Sequence, residues 1–211
     1  VLNSAEKQEG WELLFDGKKI DRFHNFNKTT VDSKWYVDDG AIHFDPEAKG
    51  EGGDLISNEQ YENFELKLEW KISNCGNSGI FFNVVEDEKY CCPYLTGPEM
   101  QVLDNTCHPD SRFVTHRAGD LYDMIETSMV TVKPAGEWNR VRIVSNNGEV
   151  EFWLNGYKVV EFTMHNEEWK QMIANSKFSQ WEDFGLARSG HIGIQDHSDK
   201  VWFRNIKIRR L

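Results

Sequence analysis

Between Phe64 and Ile72 the chain alternates apolar and charged residues without a break, Phe64, Leu66, Leu68, Trp70 and Ile72 against Glu65, Lys67, Glu69 and Lys71. Successive side chains of a β-strand point to opposite faces, so this run predicts a strand with its five apolar residues in a core and its charges outward. Further strand signals follow at 80–85, 98–103, 138–145, 150–154, 158–162, 191–195 and 201–208. Asn146-Asn147-Gly148 and Asn155-Gly156 fall between such runs, where residues that tolerate positive φ make tight hairpin turns. Helical spacing is found in one place, Trp169, Met172 and Ile173 within 166–176, behind Asn166 as a cap and with Glu167 and Glu168 in the first turn.

These signals predict an all-β fold, a two-sheet antiparallel jelly-roll sandwich with one short helix. A length of 211 residues fits one such unit, taken as residues 10–211, with 1–9 as a flexible lead-in. Thirteen Phe, eight Trp and six Tyr supply a large core and leave indole faces that could stack on sugars, although any single Trp is more often core. A formal charge of -11 opposes phosphate backbones and Arg209-Arg210 is too short for a basic stripe, so nucleic acid is not an expected partner. No apolar run is long enough to span a membrane. The polar start, with no leading Met, suits a mature chain after removal of a leader, hence a periplasmic or extracellular protein and room for a lipid anchor.

The cysteines Cys75, Cys91, Cys92 and Cys107 lack the paired spacing of a thiolate zinc site. In an exported chain, a disulfide from Cys75 or Cys107 to the adjacent pair Cys91-Cys92 is expected, with free buried thiols as the equal alternative. No cofactor is implied. His108 with Asp110, or Asp196 with His197, offers ligands to a divalent metal, but at no spacing that marks a metal set.

Two strand segments carry polar faces. In 97–105, Glu99 and Gln101 share one face and Met100 and Val102 the other; in 191–197, His191, Gln195 and His197 stand opposite Ile192 and Ile194. Together they suggest a polar groove over an apolar core, to which Asn83 could add. The 105–130 connection is long and poorly periodic, and its polar residues suggest a functional loop.

Several segments resemble, in order and over nearly the whole chain, the bacterial 3-keto-disaccharide hydrolase family. They are Leu14-Phe15-Asp16-Gly17-Lys18, Trp35 to Gly40, Asn63 to Leu66, Gly76-Asn77-Ser78-Gly79, Gly97 to Asn105, Lys133 to Asn139, Trp153-Leu154-Asn155-Gly156, and Gln195-Asp196-His197 with Val201 to Ile206. The resemblance implies the concanavalin A-like lectin/glucanase sandwich and cleavage of glycosides whose sugar carries a ketone at C3. Such a ketone acidifies the C2 hydrogen, so a base can remove it and the enolate can expel the C1 oxygen with help from an acid.

Within the matched segments Glu99 is the first catalytic candidate, as base or acid, and His197 the second, as an imidazole able to move a proton near neutral pH. Gln101, Asp104, Gln195, Asp196, Trp202, Arg204, Trp153, His108 and Tyr122 are candidates to bind substrate, an oligosaccharide or glycoside. Each has a plainer reading. Glu99 could be a solvated strand charge, Arg204 with Trp202 a surface stack, and Asp104 with Asn105 the anchor of the following loop. Glu99 and Asp104 differ by an odd number, so a regular strand turns them to opposite faces and disfavours a same-strand carboxylate pair. Two competing functions follow, a non-catalytic carbohydrate-binding module, or an ordinary glycosidase pairing Glu99 with Glu69 or Glu151.

Overall fold

The alternating run becomes β6, the strand on which one of two packed sheets is centred in this computed structural model, which describes Val1 to Leu211. In chain order the strands are β1 (Glu12–Leu13), β2 (Phe23–Asn25), β3 (Trp35–Asp38), β4 (Ala41–Phe44), β5 (Leu55–Tyr61), β6 (Phe64–Ile72) and β7 (Asn77–Val84). They continue as β8 (Glu99–Leu103), β9 (Asn139–Asn146), β10 (Glu149–Leu154), β11 (Tyr157–Thr163), β12 (Gly190–Ile194) and β13 (Val201–Arg210). An eight-stranded sheet runs β11-β10-β9-β6-β13-β4-β3 with β1 added on β13, and a five-stranded sheet runs β2-β5-β12-β7-β8. The pairings are antiparallel, as the jelly-roll expectation requires. No helix is long and apolar enough to cross a membrane.

The core lies between the sheets. Leu66, Trp70, Phe152 and Phe203 from the larger sheet meet Ile80, Phe82, Met100 and Ile192 from the smaller one, all buried. Phe82 and Phe152 join the layers edge to face at 6.0 Å, the geometry that aromatic quadrupoles favour. The charged face of β6 points away from this core, but Glu65 is not solvated. Its carboxylate is covered by Arg142 at 2.6 Å and Arg209 at 2.5 Å, which offset the cost of its burial.

Asn147 and Asn155 both adopt positive φ, followed by Gly148 and Gly156, and make the β9–β10 and β10–β11 hairpins expected of them. The expected helix is α2 (Glu167–Ala174), capped by Asn166, whose Oδ1 accepts the Trp169 N–H at 2.8 Å. A second short helix, α1 (Ser4–Gln8), occupies the segment expected to be flexible; Asn3 and Glu6 cap it reciprocally and Glu6 pairs with Lys207.

The disulfide joins Cys75 to Cys107, correcting the expected link to the Cys91-Cys92 pair. Its cause is local. Asp104, the residue after β8, accepts the N–H of Cys75 at 2.8 Å and both the N–H and hydroxyl of Thr106, at 3.0 and 2.6 Å, which draws the two cysteines together.

Candidate active site

On β8 the predicted alternation holds, with Met100 and Val102 in the core and Glu99 and Gln101 on the outer face of the five-stranded sheet. β7 lies beside it with Gly79 opposite Gln101 and Phe81 opposite Glu99. The Glu99 carboxyl leans back across Gly79, where a Cβ would overlap its Oε1. Glycine at position 79 is therefore required by this close approach. Gln195, just past β12, donates its N–H to the Gly79 carbonyl at 3.0 Å and brings its side chain to the same face.

Two loops raise walls around this floor and enclose a cavity of about 380 Å³. The 105–130 connection supplies Tyr122, whose N–H donates to the Glu99 carbonyl at 3.0 Å and whose hydroxyl donates to Asp110 at 3.3 Å. His116 lies over the Tyr122 ring at 4.2 Å and bonds Asp123 at 2.8 Å. Asp123 in turn accepts the Lys177 N–H at 2.7 Å, tying this loop to the segment after α2. That segment contributes Lys177, Phe178 and Trp181, with the Lys177 ammonium 4.0 Å above the Tyr122 ring centre. Tyr94 and His197 close the remaining sides.

One carboxyl on the cavity floor is strongly perturbed. Burial pushes the Glu99 carboxyl up to about 8; the Lys177 cation opposes the shift, and the Asp54 and Asp110 carboxylates add to it. Around it, Asn77 Oδ1 and Gln195 Oε1 are buried without a hydrogen-bond partner. Both residues line the cavity, so these acceptors are available to hydroxyl groups of a ligand.

A carboxyl protonated in the fold at a pH where the unfolded chain ionises costs stability. For Glu99 the cost is absent below the ordinary value of 4.5, grows as pH rises, and levels off above about 8. Within that window each pH unit costs up to about 1.4 kcal/mol. Glu99→Gln is uncharged throughout, so its melting temperature should gain on the parent between about pH 5 and about pH 8.5. A gap independent of pH would show that the carboxyl titrates normally.

The sequence candidates divide between the two sheets. Glu99, Gln101, Gln195, His197 and Tyr122 meet in the cavity, although Gln101 turns inward enough to bond the His116 carbonyl at 3.3 Å. His197 is exposed, and His108 stands behind it with ring centres 6.3 Å apart, its own Nδ1 taken up by the Asp110 N–H. Asp196 borders the adjoining stretch of groove and is committed to the Gly53 and Ser198 N–H groups. Asp104 anchors the disulfide loop, and Asn105 Oδ1 accepts the Ala118 N–H at 2.9 Å.

Trp153, Trp202 and Arg204 are not brought to the cavity, because they stand on the outer face of the eight-stranded sheet. Arg204 pairs with Glu69 at 2.7 Å and stacks on Trp138, Trp202 stacks on His43 and bonds Asp38, and Trp153 bonds Glu151. Glu69 and Glu151 belong to that sheet as well, so neither can face Glu99 as a second carboxylate. Asn83, at a positive φ in β7, bonds the Ala187 carbonyl and borders a different cavity, and His191 is buried against the Ser57 carbonyl.

Asn77, Tyr94, Lys177, Trp181 and Asp54 are the site residues that the sequence left unmarked. Asn77 lies in the matched segment 76–79. Asp54 lines the groove beside the cavity, and burial pushes its carboxyl up to about 7. The sole cluster of three ligand-type side chains, Cys75, Asp104 and Cys107, is no thiolate metal site, since its sulfurs are bonded to each other.

Known proteins are similar to this chain in sequence and fold. Residues 10–209 match the family model described as the 3-keto-alpha-glucoside-1,2-lyase-like domain. A 3-keto-disaccharide hydrolase of Bacteroides thetaiotaomicron is 37% identical over 230 residues, covering 96% of this chain and 79% of that protein. A crystal structure of a Parabacteroides distasonis protein, provisionally described as a glycosyl hydrolase, superposes with a TM-score of 0.93 at 36% identity, covering 100% of this chain and 98% of the other. A Bacillus subtilis protein with a galectin-like fold, 13% identical at a TM-score of 0.57 and covering 99% of this chain and 92% of its own, shares the fold alone. On the family match over residues 10–209 and a 37% identical relative aligned across 96% of this chain, the chain belongs to the 3-keto-alpha-glucoside-1,2-lyase-like domain family.

Proposed function

We propose that this protein cleaves glycosides whose sugar ring carries a ketone at C3, with Glu99 as the base that removes the C2 proton. The observation that carries the reading is a buried carboxyl, pushed up to about 8, on a cavity floor beside the unpartnered acceptors of Asn77 and Gln195. A carboxylate of raised proton affinity is a better match to a carbon acid than an ordinary one. The name of the 37% identical relative supports the substrate class.

In this scheme Asn77 and Gln195 accept sugar hydroxyls, and Trp181 and Tyr94 face the ring. Glu99 takes the C2 proton, and the C–H electrons become the enolate on the C3 oxygen, which Lys177 stabilises as a cation. The electrons then return to form the C1–C2 double bond as the C1–O bond breaks, and His197 protonates the departing oxygen. Addition of water across the resulting enone at C1 turns this elimination into net hydrolysis. Disulfides persist in oxidising compartments, so the Cys75–Cys107 bridge supports an exported, periplasmic or extracellular, location.

The experiment is incubation with a 3-keto glucoside and, separately, with the parent glucoside, followed by release of the aglycone. Turnover of the ketone alone is expected. Equal turnover of both sinks the mechanism, and binding of either without release favours a carbohydrate-binding module.

A further inference from the structure

Two thiols stand where the groove leaves the Glu99 cavity. Cys91 and Cys92 line its continuation with Phe26, Asp54 and Tyr94, and this stretch shares Tyr94, Gln195 and His197 with the cavity itself. Their sulfurs are 2.9 Å apart, well inside van der Waals contact and aimed at each other. Cys75 and Cys107 are joined to each other, and Cys91 and Cys92 are both free thiols. The backbone at Cys92 is extended, with φ -155° and ψ 150°, as it enters the short turn Pro93–Leu95.

We propose that Cys91 and Cys92 close reversibly into a vicinal disulfide that forms an apolar wall of the groove, against the part of the glycoside that departs. The groove role rests on the glycoside reading above; the thiol chemistry does not. Cys91 is the exposed sulfur and Cys92 the more covered one. The thiolate of Cys91 attacks the sulfur of an external disulfide such as oxidised glutathione, releasing one thiol and leaving a mixed disulfide. The Cys92 sulfur then displaces the second thiol as the Cys91–Cys92 bond forms. The two cysteines lose two protons and two electrons, and the external disulfide gains them as two thiols.

Burial and the neighbouring Cys91 push the Cys92 thiol up to about 11, which lowers its thiolate fraction and leaves the exposed Cys91 as the first attacking sulfur; what favours the second step is the 2.9 Å proximity of the two sulfurs. Adjacent Cα atoms lie about 3.8 Å apart, short of the roughly 4.4–6.8 Å that an unstrained disulfide spans. Cys75 and Cys107, at 4.9 Å, are within that span. The vicinal bond is therefore the more easily reduced of the two. Closing it replaces two S–H groups beside Tyr94 and Phe26 by a rigid apolar edge, suited to the flat face of a sugar ring.

The full chain equilibrated in glutathione buffers of graded ratio, quenched with iodoacetamide and digested, decides the matter by mass. In oxidising buffer the peptide holding Cys91 and Cys92 should escape alkylation and weigh two hydrogens less. It should take two alkyl groups at a ratio where Cys75–Cys107 is still closed. Cys92→Ser should trap glutathione on Cys91 as a mixed disulfide that does not resolve. Alkylation of both thiols at every ratio, or a lasting glutathione adduct on the parent chain, overturns the proposal. For the groove role, KM for a 3-keto disaccharide should differ by about threefold or more between the two states, with the C91S/C92S chain insensitive to the buffer. Equal KM values overturn that role, whereas no turnover in any state counts against the glycoside reading and leaves the masses to decide the disulfide.

Discussion

Glu99→Gln is expected to lower kcat on a 3-keto glucoside by about 10²- to 10⁴-fold while leaving KM within about threefold. The amide fills the same space over Gly79 and keeps the cavity polar, but it cannot take a proton. The pH profile supplies the sign. A base must be ionised, so with the carboxyl raised to about 8 the parent's kcat/KM should climb through neutral pH and level off above about 8. If Glu99 were the acid, the same limb would fall with pH. The thermal comparison of the two chains separates chemistry from folding, since the variant gains stability over the pH range in which it loses activity. Full activity in the variant removes Glu99 from the reaction.

Strand parity was legible because it is a property of the backbone alone. It turns the apolar face of β6 inward and sets Glu99 and Gln101 opposite Met100 and Val102. The same parity holds for Trp153, Trp202 and Arg204, which stand outward from the core. What it cannot say is which of two sheets an outward side chain leaves from, and these three leave from the wrong one for the cavity. The short strands β1 to β4 and the irregular β5 gave no clear alternation, yet β5 and β2 complete the sheet that carries the site. Asp104 followed its plainer reading as a loop anchor, a use set by local N–H groups. Lys177 and Trp181 had no sequence signal because loop packing, tied through Asp123, decides what reaches the cavity.

Lys177 provides the second large effect. It is the cation that restrains the rise of the Glu99 carboxyl, and it sits over Tyr122 at the cavity wall, placed to meet the negative charge of the proposed enolate. Lys177→Met keeps most of the apolar stem and removes the ammonium that lies over the Tyr122 and Phe178 rings. Turnover should fall by about 10²- to 10³-fold, mostly in kcat, because the charge matters most when the enolate forms. The rising limb should also move to higher pH, since Glu99 loses the cation that favours its ionised form. A merely structural lysine would leave that limb in place. Lys177→Arg restores a cation in a bulkier head, so it should return the limb toward its original pH while recovering only part of the rate. If Met lowers the rate and leaves the pH profile unmoved, Lys177 does not act on Glu99. If both variants match the parent, the enolate is stabilised from elsewhere in the cavity.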